Sequence, residues 1–123
     1  MAKIQALGGV FFKTADPDSL AAWYQQHLGL GVAEDYCGAN FSPSQYPQGG
    51  FTLWSLFPKD STYFAEDFIV NFIVDDVAGA LVQVKLGDAT DIKGPVLDPC
   101  GSFGWFTDPA GHRVELWQPP TDN

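Results

Sequence analysis

The sequence predicts an α+β fold in which two βαβββ modules form a curved mixed sheet around a cavity, with the helices outside. Three observations predict it. A strand-like run, an Asp-capped helical run, a glycine stop and further strand-like runs occur in the same order twice. FTLW at 51–54 falls on VELW at 114–117, and Asp16 falls on Asp76, at nearly equal offsets. Agreement at both ends points to an internal duplication. The chain of 123 residues also has the length of one compact domain. Within it, residues 1–58 form the first module and 67–119 the second.

In the first module, Ala6–Thr14 (ALGGVFFKT) is strand-like and ends before Asp16-Pro17. Asp16 suits an N-cap, and Pro17 falls at the first helical position, where its missing N–H costs nothing. Leu20, Trp23, Tyr24 and Leu28 then line one helical face, and Gly29 closes it as a left-handed residue would. Short strands are expected near Val32–Tyr36 and Ala39–Phe41, then a Pro- and Gly-rich loop, then a strand at Phe51–Phe57. Pro58–Asp67 is a polar connection. The second module repeats the plan with a strand at Phe68–Val74 and a cap at Asp75-Asp76. A helix follows with Val77, Ala80, Leu81 and Val84 on one face, ending at Gly87. Strands are expected at Asp91–Val96, Ser102–Thr107 and Arg113–Gln118, with Pro119-Pro120 ending the run.

Composition narrows the function. Hydrophobic residues make up 46% and charged residues 17%, as in a packed globular protein. Ten Phe and four Trp exceed what a small core needs, so some are expected to line a ligand cavity. A net charge of −9 argues against nucleic acid and anionic membrane surfaces, and is compatible with a cationic ligand. Cys37 and Cys100 make neither a disulfide framework nor a zinc set. No signal peptide is legible, and no apolar run approaches ~18 residues, so a cytoplasmic protein is expected.

The stretch Thr107–Trp117 (TDPAGHRVELW) carries the candidate chemistry. Asp108-Pro109-Ala110-Gly111 reads as a tight turn. In the strand leaving it, Val114 and Leu116 share one face; Arg113, Glu115 and Trp117 share the other. Strand interiors disfavour glutamate, so Glu115 is either a functional carboxylate or a rim residue paired with Arg113 or a lysine.

Together GGVFFKTADPDSLAAWYQQHLGL, FIVNFIVDDVAGAL and FTDPAGHRVELWQP resemble the vicinal oxygen chelate superfamily, which includes glyoxalase I, bleomycin resistance proteins and extradiol dioxygenases. The resemblance spans essentially the whole chain. It implies paired βαβββ modules around a cavity, frequent homodimers and, in the enzymes, a divalent metal. The metal ligands would fall on Gly9, Thr52, Ile69 and Glu115. Only Glu115 is a good ligand, so no metal and no cofactor are expected. If Gly9 and Ile69 point inward, Phe11 and Asn71 do too. Trp54 and Trp117 share the parity of Thr52 and Glu115, and Trp105 shares a face with Phe103. The expected ligand wall is therefore Phe11, Thr52, Trp54, Asn71, Trp105 and Trp117 around Glu115. A homodimer that binds a small molecule in this aromatic pocket, as bleomycin resistance proteins do, is the expected function. The alternative is a lyase or dioxygenase, metal-dependent or using Glu115 as general acid or base.

Overall fold

The computed structural model describes residues 1–121. It is an α+β structure with two helices and a four-stranded, open, curved mixed sheet. Helix α1 runs Pro17–Leu28, strand β1 Val70–Ile73, helix α2 Val77–Leu86, and strands β2, β3 and β4 run Thr90–Asp98, Gly101–Thr107 and Arg113–Gln118. The helix ends follow the capping chemistry. The Asp16 carboxylate accepts from the Ser19 N–H at 3.1 Å, Asp76 does the same for Gly79 at 3.0 Å, and Gly29 takes φ 66° beyond α1. None of these helices is long and apolar enough to cross a membrane.

The strand order is β1-β4-β3-β2. β1 lies parallel to β4, whereas β4, β3 and β2 are antiparallel neighbours. A parallel pair cannot be closed by a tight turn, and here α2 makes the crossover to the far edge before two reversals bring the chain back to β1. Val77, Ala80, Leu81 and Val84 of α2 are buried against Phe106, Val114 and Leu116. These are the helical and strand faces that the spacing predicts. Trp23, Tyr24 and Leu28 of α1 pack against the same cluster.

Gly104 sets how closely α2 approaches the sheet. A Cβ there would meet Leu81 Cδ1 and Val77 Cγ1 at 2.9 Å, inside van der Waals contact. Gly104→Val therefore overpacks a filled layer. It should lower unfolding stability by about 2 kcal/mol, read as a lower urea midpoint at unchanged slope.

The segments expected as strands in the first module behave differently. Among the described residues, 6–14, 32–36, 39–41 and 51–57 join no ladder, and between 32 and 57 only a single 3-10 turn, Pro43–Gln45, forms. The reason is packing. An isolated strand is not stable without neighbours, and α1, which should cover them, lies on the second half instead. The Trp23 indole N–H donates to Gly87 O and Gln83 Nε2 donates to His27 O, each at 2.8 Å.

Candidate functional site

The face of the sheet opposite the helices carries Asn71, Glu115 and Trp105 in one row. Asn71 and Glu115 are cross-strand neighbours on β1 and β4, and Trp105 faces Glu115 from β3. Period-two alternation puts all three on the face that Val114, Leu116 and Phe106 vacate. Phe103 shares that face, with its ring roughly parallel to that of Trp105 at 6.5 Å. Trp117 also lies there; its indole donates to Cys100 O at 2.8 Å, and Phe51 meets its ring edge-on at 5.1 Å.

Glu115 is the centre of this row and is only 8% exposed. Asn71 Nδ2 donates to its Oε2 at 2.6 Å, and Trp105 Nε1 donates to Oε1 at 2.9 Å. The Tyr63 hydroxyl donates to Oε1 as well. A buried carboxylate with three donors is well satisfied. All three are neutral, however, and the one acid–base contact of salt-bridge length among the described residues is His112–Asp108. Arg113 does not pair with Glu115: it donates to Asp91 O at 2.6 Å and Thr107 Oγ1 at 3.2 Å. The rim-pair reading of Glu115 is thereby corrected, because Arg113 turns toward β2.

Tyr63 was not singled out by the sequence, since it lies in the polar connection 58–67. Its ring stacks on Phe57 at 5.6 Å and meets Trp105 edge-on at 6.2 Å. Two adjacent aromatics, Tyr63-Phe64, in an otherwise polar run were the available signal. Burial, then the hydrogen bond to Glu115 and its charge, push the Tyr63 phenol above its usual range, so it stays a donor at neutral pH.

Tyr24 is raised too, by burial first and then by Asp108. Both phenols hold their protons more tightly folded than unfolded. Their stabilisation is complete below the ordinary tyrosine pKa of about 10 and is lost as pH rises beyond it. Absorbance at 295 nm should therefore show two of the four tyrosines ionising only together with alkaline unfolding.

A second cluster serves structure. The Tyr24 hydroxyl donates to Asp108 Oδ2 at 2.8 Å, and His112 Nδ1 lies 3.0 Å from the same oxygen. Asp108 Oδ1 accepts the Ala110 and His112 N–H groups, both at 2.9 Å. The buried Asp108 thus ties the turn before β4 to α1, and no nucleophile joins the group. A hollow of about 480 Å³ lies nearby between α1 and this turn. Its one ionisable group is Asp16, already occupied capping α1, so the chemistry points to the Glu115 row instead.

Of the residues the sequence singles out, the structure brings Asn71, Trp105, Trp117 and Glu115 to one face. Phe11, Thr52 and Trp54 make no hydrogen bond to Glu115. Thr52 Oγ1 bonds the Tyr46 hydroxyl at 2.6 Å, while Phe11 and Trp54 are largely exposed.

The donor set around Glu115 does not fit a divalent metal. Gly9 and Ile69 offer no donor atom, Thr52 is engaged elsewhere, and N–H and O–H groups rather than lone pairs face the carboxylate. Among the described residues no three His, Cys, Asp or Glu side chains converge on one point.

No protein-family model matches the chain, and no curated protein does. Among solved structures it is similar to TnmS3, an antibiotic-binding protein from Streptomyces sp. CB03234. That match has a TM-score of 0.61 and 21% identity, and covers 98% of this chain and 100% of the other. A glyoxalase/bleomycin resistance protein from the same Streptomyces aligns over 42% of this chain and 46% of its own, at 24% identity and a TM-score of 0.37. The first likeness shows a glyoxalase-like α+β fold. The second is too weak to add to it.

Proposed function

We propose that this chain is a small-molecule-binding protein of the glyoxalase/bleomycin-resistance type, holding a flat, cationic aromatic ligand against the sheet face opposite its helices. The observation that carries this reading is the Glu115 row. A carboxylate with no cationic side chain on it is set among Trp105, Tyr63, Phe103 and Trp117. Aromatic faces attract cations, and a nearby carboxylate adds charge attraction in a partly dry setting. The antibiotic-binding description of TnmS3 supports a small-molecule ligand, and the net charge of −9 favours a cation over an anion.

In this reading Asn71 and Tyr63 hold the Glu115 carboxylate in place, and Trp105 and Trp117 supply stacking surface. Glu115 supplies charge, and no acid–base step is assigned to it. The test is a titration with an anthracycline that carries an ammonium group, beside its N-acetylated neutral derivative. Tighter binding of the ammonium form, by about tenfold or 1.4 kcal/mol, is the expected result. Equal binding of both forms removes Glu115 from the account.

A further inference from the structure

We infer that Asn71 makes this face selective for a primary ammonium, whose nitrogen gives one N–H to Glu115 Oε2 and a second to Asn71 Oδ1. The inference rests on the cation-binding reading above and adds to it the class of amine. The two oxygens of Glu115 are unequally loaded. Oε1 accepts from Trp105 Nε1 at 2.9 Å and from the Tyr63 hydroxyl, whereas Oε2 accepts only from Asn71 Nδ2, at 2.6 Å. A carboxylate oxygen has lone pairs for about two such bonds. Oε1 is therefore full, and one acceptor site is left on Oε2, the oxygen that faces Asn71.

The Asn71 amide supplies a second open acceptor. Its Nδ2 is the end turned to the carboxylate, because a flipped amide would set two acceptors against each other. Oδ1 is then the free end. Among the described residues no group donates to it, and the Asn71 side chain is exposed.

The two open acceptors lie within reach of one nitrogen. With amide O and N atoms ~2.3 Å apart and Nδ2 at 2.6 Å from Oε2, Oδ1 and Oε2 are separated by at most about 4.9 Å. A nitrogen making two hydrogen bonds of ~2.8 Å spans up to about 5.6 Å. A primary ammonium serves both oxygens and keeps a third N–H for water. A tertiary ammonium has a single N–H and a quaternary one has none, so each leaves an acceptor facing methyl groups.

The position of Asn71 favours the same entry side. It is the one polar residue in the run FIVNFIV, and strand interiors disfavour asparagine. β1 is an edge of the sheet, paired with β4 alone, so no further strand covers the Asn71 end of the row. Lys93, opposite Trp105 in the β2–β3 register, stands at the other end, and its charge turns a second cation away from there.

The experiment is an NMR titration of the ¹⁵N-labelled wild-type chain with benzylammonium, N,N-dimethylbenzylammonium and neutral benzyl alcohol, at neutral pH, where both amines are charged. The Asn71 side-chain amide and the Trp105 indole report binding. Benzylammonium is expected to bind about threefold more tightly than its dimethyl derivative, the worth of one modest hydrogen bond. The dimethyl derivative is expected to bind more tightly than the alcohol. In Asn71→Leu, read at Trp105, the preference for the primary amine is expected to vanish. A variant that loses affinity for both amines by one factor, with the preference intact, makes Asn71 a support for Glu115 alone and overturns the inference. So does equal binding of the two amines by the wild-type chain; if both still exceed the alcohol, the cation-binding reading stands without it. Equal binding of all three probes, or no saturable shift from any, overturns both.

Discussion

Asp108→Ala is expected to lower unfolding stability by about 3 kcal/mol. The carboxylate is 4% exposed and serves four donors: the Tyr24 hydroxyl, the His112 ring and the N–H groups of Ala110 and His112. Truncation leaves those donors half-buried without an acceptor, which costs more than the net value of the bonds themselves. It also cuts the link between α1 and the turn that launches β4. Asp108→Asn keeps an oxygen for the two amides and should cost about half as much. Urea unfolding of both variants, at neutral pH, checks the order. A substitution by Ala within ~0.5 kcal/mol of wild type would mean that the turn holds itself without α1.

The second large effect concerns Glu115. Glu115→Gln preserves the shape of the acceptor but removes its charge, so a cationic ligand should bind about tenfold more weakly while a neutral analogue is unaffected. Glu115→Ala goes further, because Trp105 Nε1, Asn71 Nδ2 and the Tyr63 hydroxyl lose their common acceptor. Trp105 and Tyr63 are then free to rotate, and the expected loss reaches about 100-fold for cationic and neutral ligands alike. Calorimetric titration of the two variants separates charge from ring positioning. Equal losses would merge the two roles.

The second half of the fold was legible because each signal there is local and complete. Val77, Ala80, Leu81 and Val84 mark one helix face, Asp76 starts it, and the alternation from Arg113 to Gln118 has a paired strand beside it on each side. The first half carries similar alternation and an equally good cap at Asp16, and α1 forms as the pattern predicts. Its strands do not pair in a single chain, because alternation names the face a side chain takes and says nothing of which backbone lies alongside. Parity arguments for Phe11, Thr52 and Trp54 depended on such a ladder; Phe11 and Trp54 are largely exposed, and Thr52 bonds Tyr46. Asn71, Trp105 and Trp117, whose ladders exist, share its face.

The partners of Glu115 were only partly legible for the same reason. Asn71 lies directly across the β1–β4 pair, so register finds it. Tyr63 arrives from a connection with no periodicity, and only its aromatic character hints at a role. Arg113, close in sequence, was the obvious cation for Glu115, but its side chain reaches Asp91 O instead.

Three of the four tryptophans offer the most direct test of the proposed binding face. Trp105 and Trp117 lie on the face opposite the helices, whereas the Trp23 indole is bonded to Gly87 O on the helix side and serves as an internal reference. Their indole N–H signals can be followed in ¹⁵N-tryptophan-labelled protein during titration with a panel of flat, cationic aromatic antibiotics. Saturable movement of the Trp105 and Trp117 signals, with Trp23 unmoved, is the result the account predicts. Ligands that shift Trp23 alone, or a panel that moves neither Trp105 nor Trp117, would contradict it.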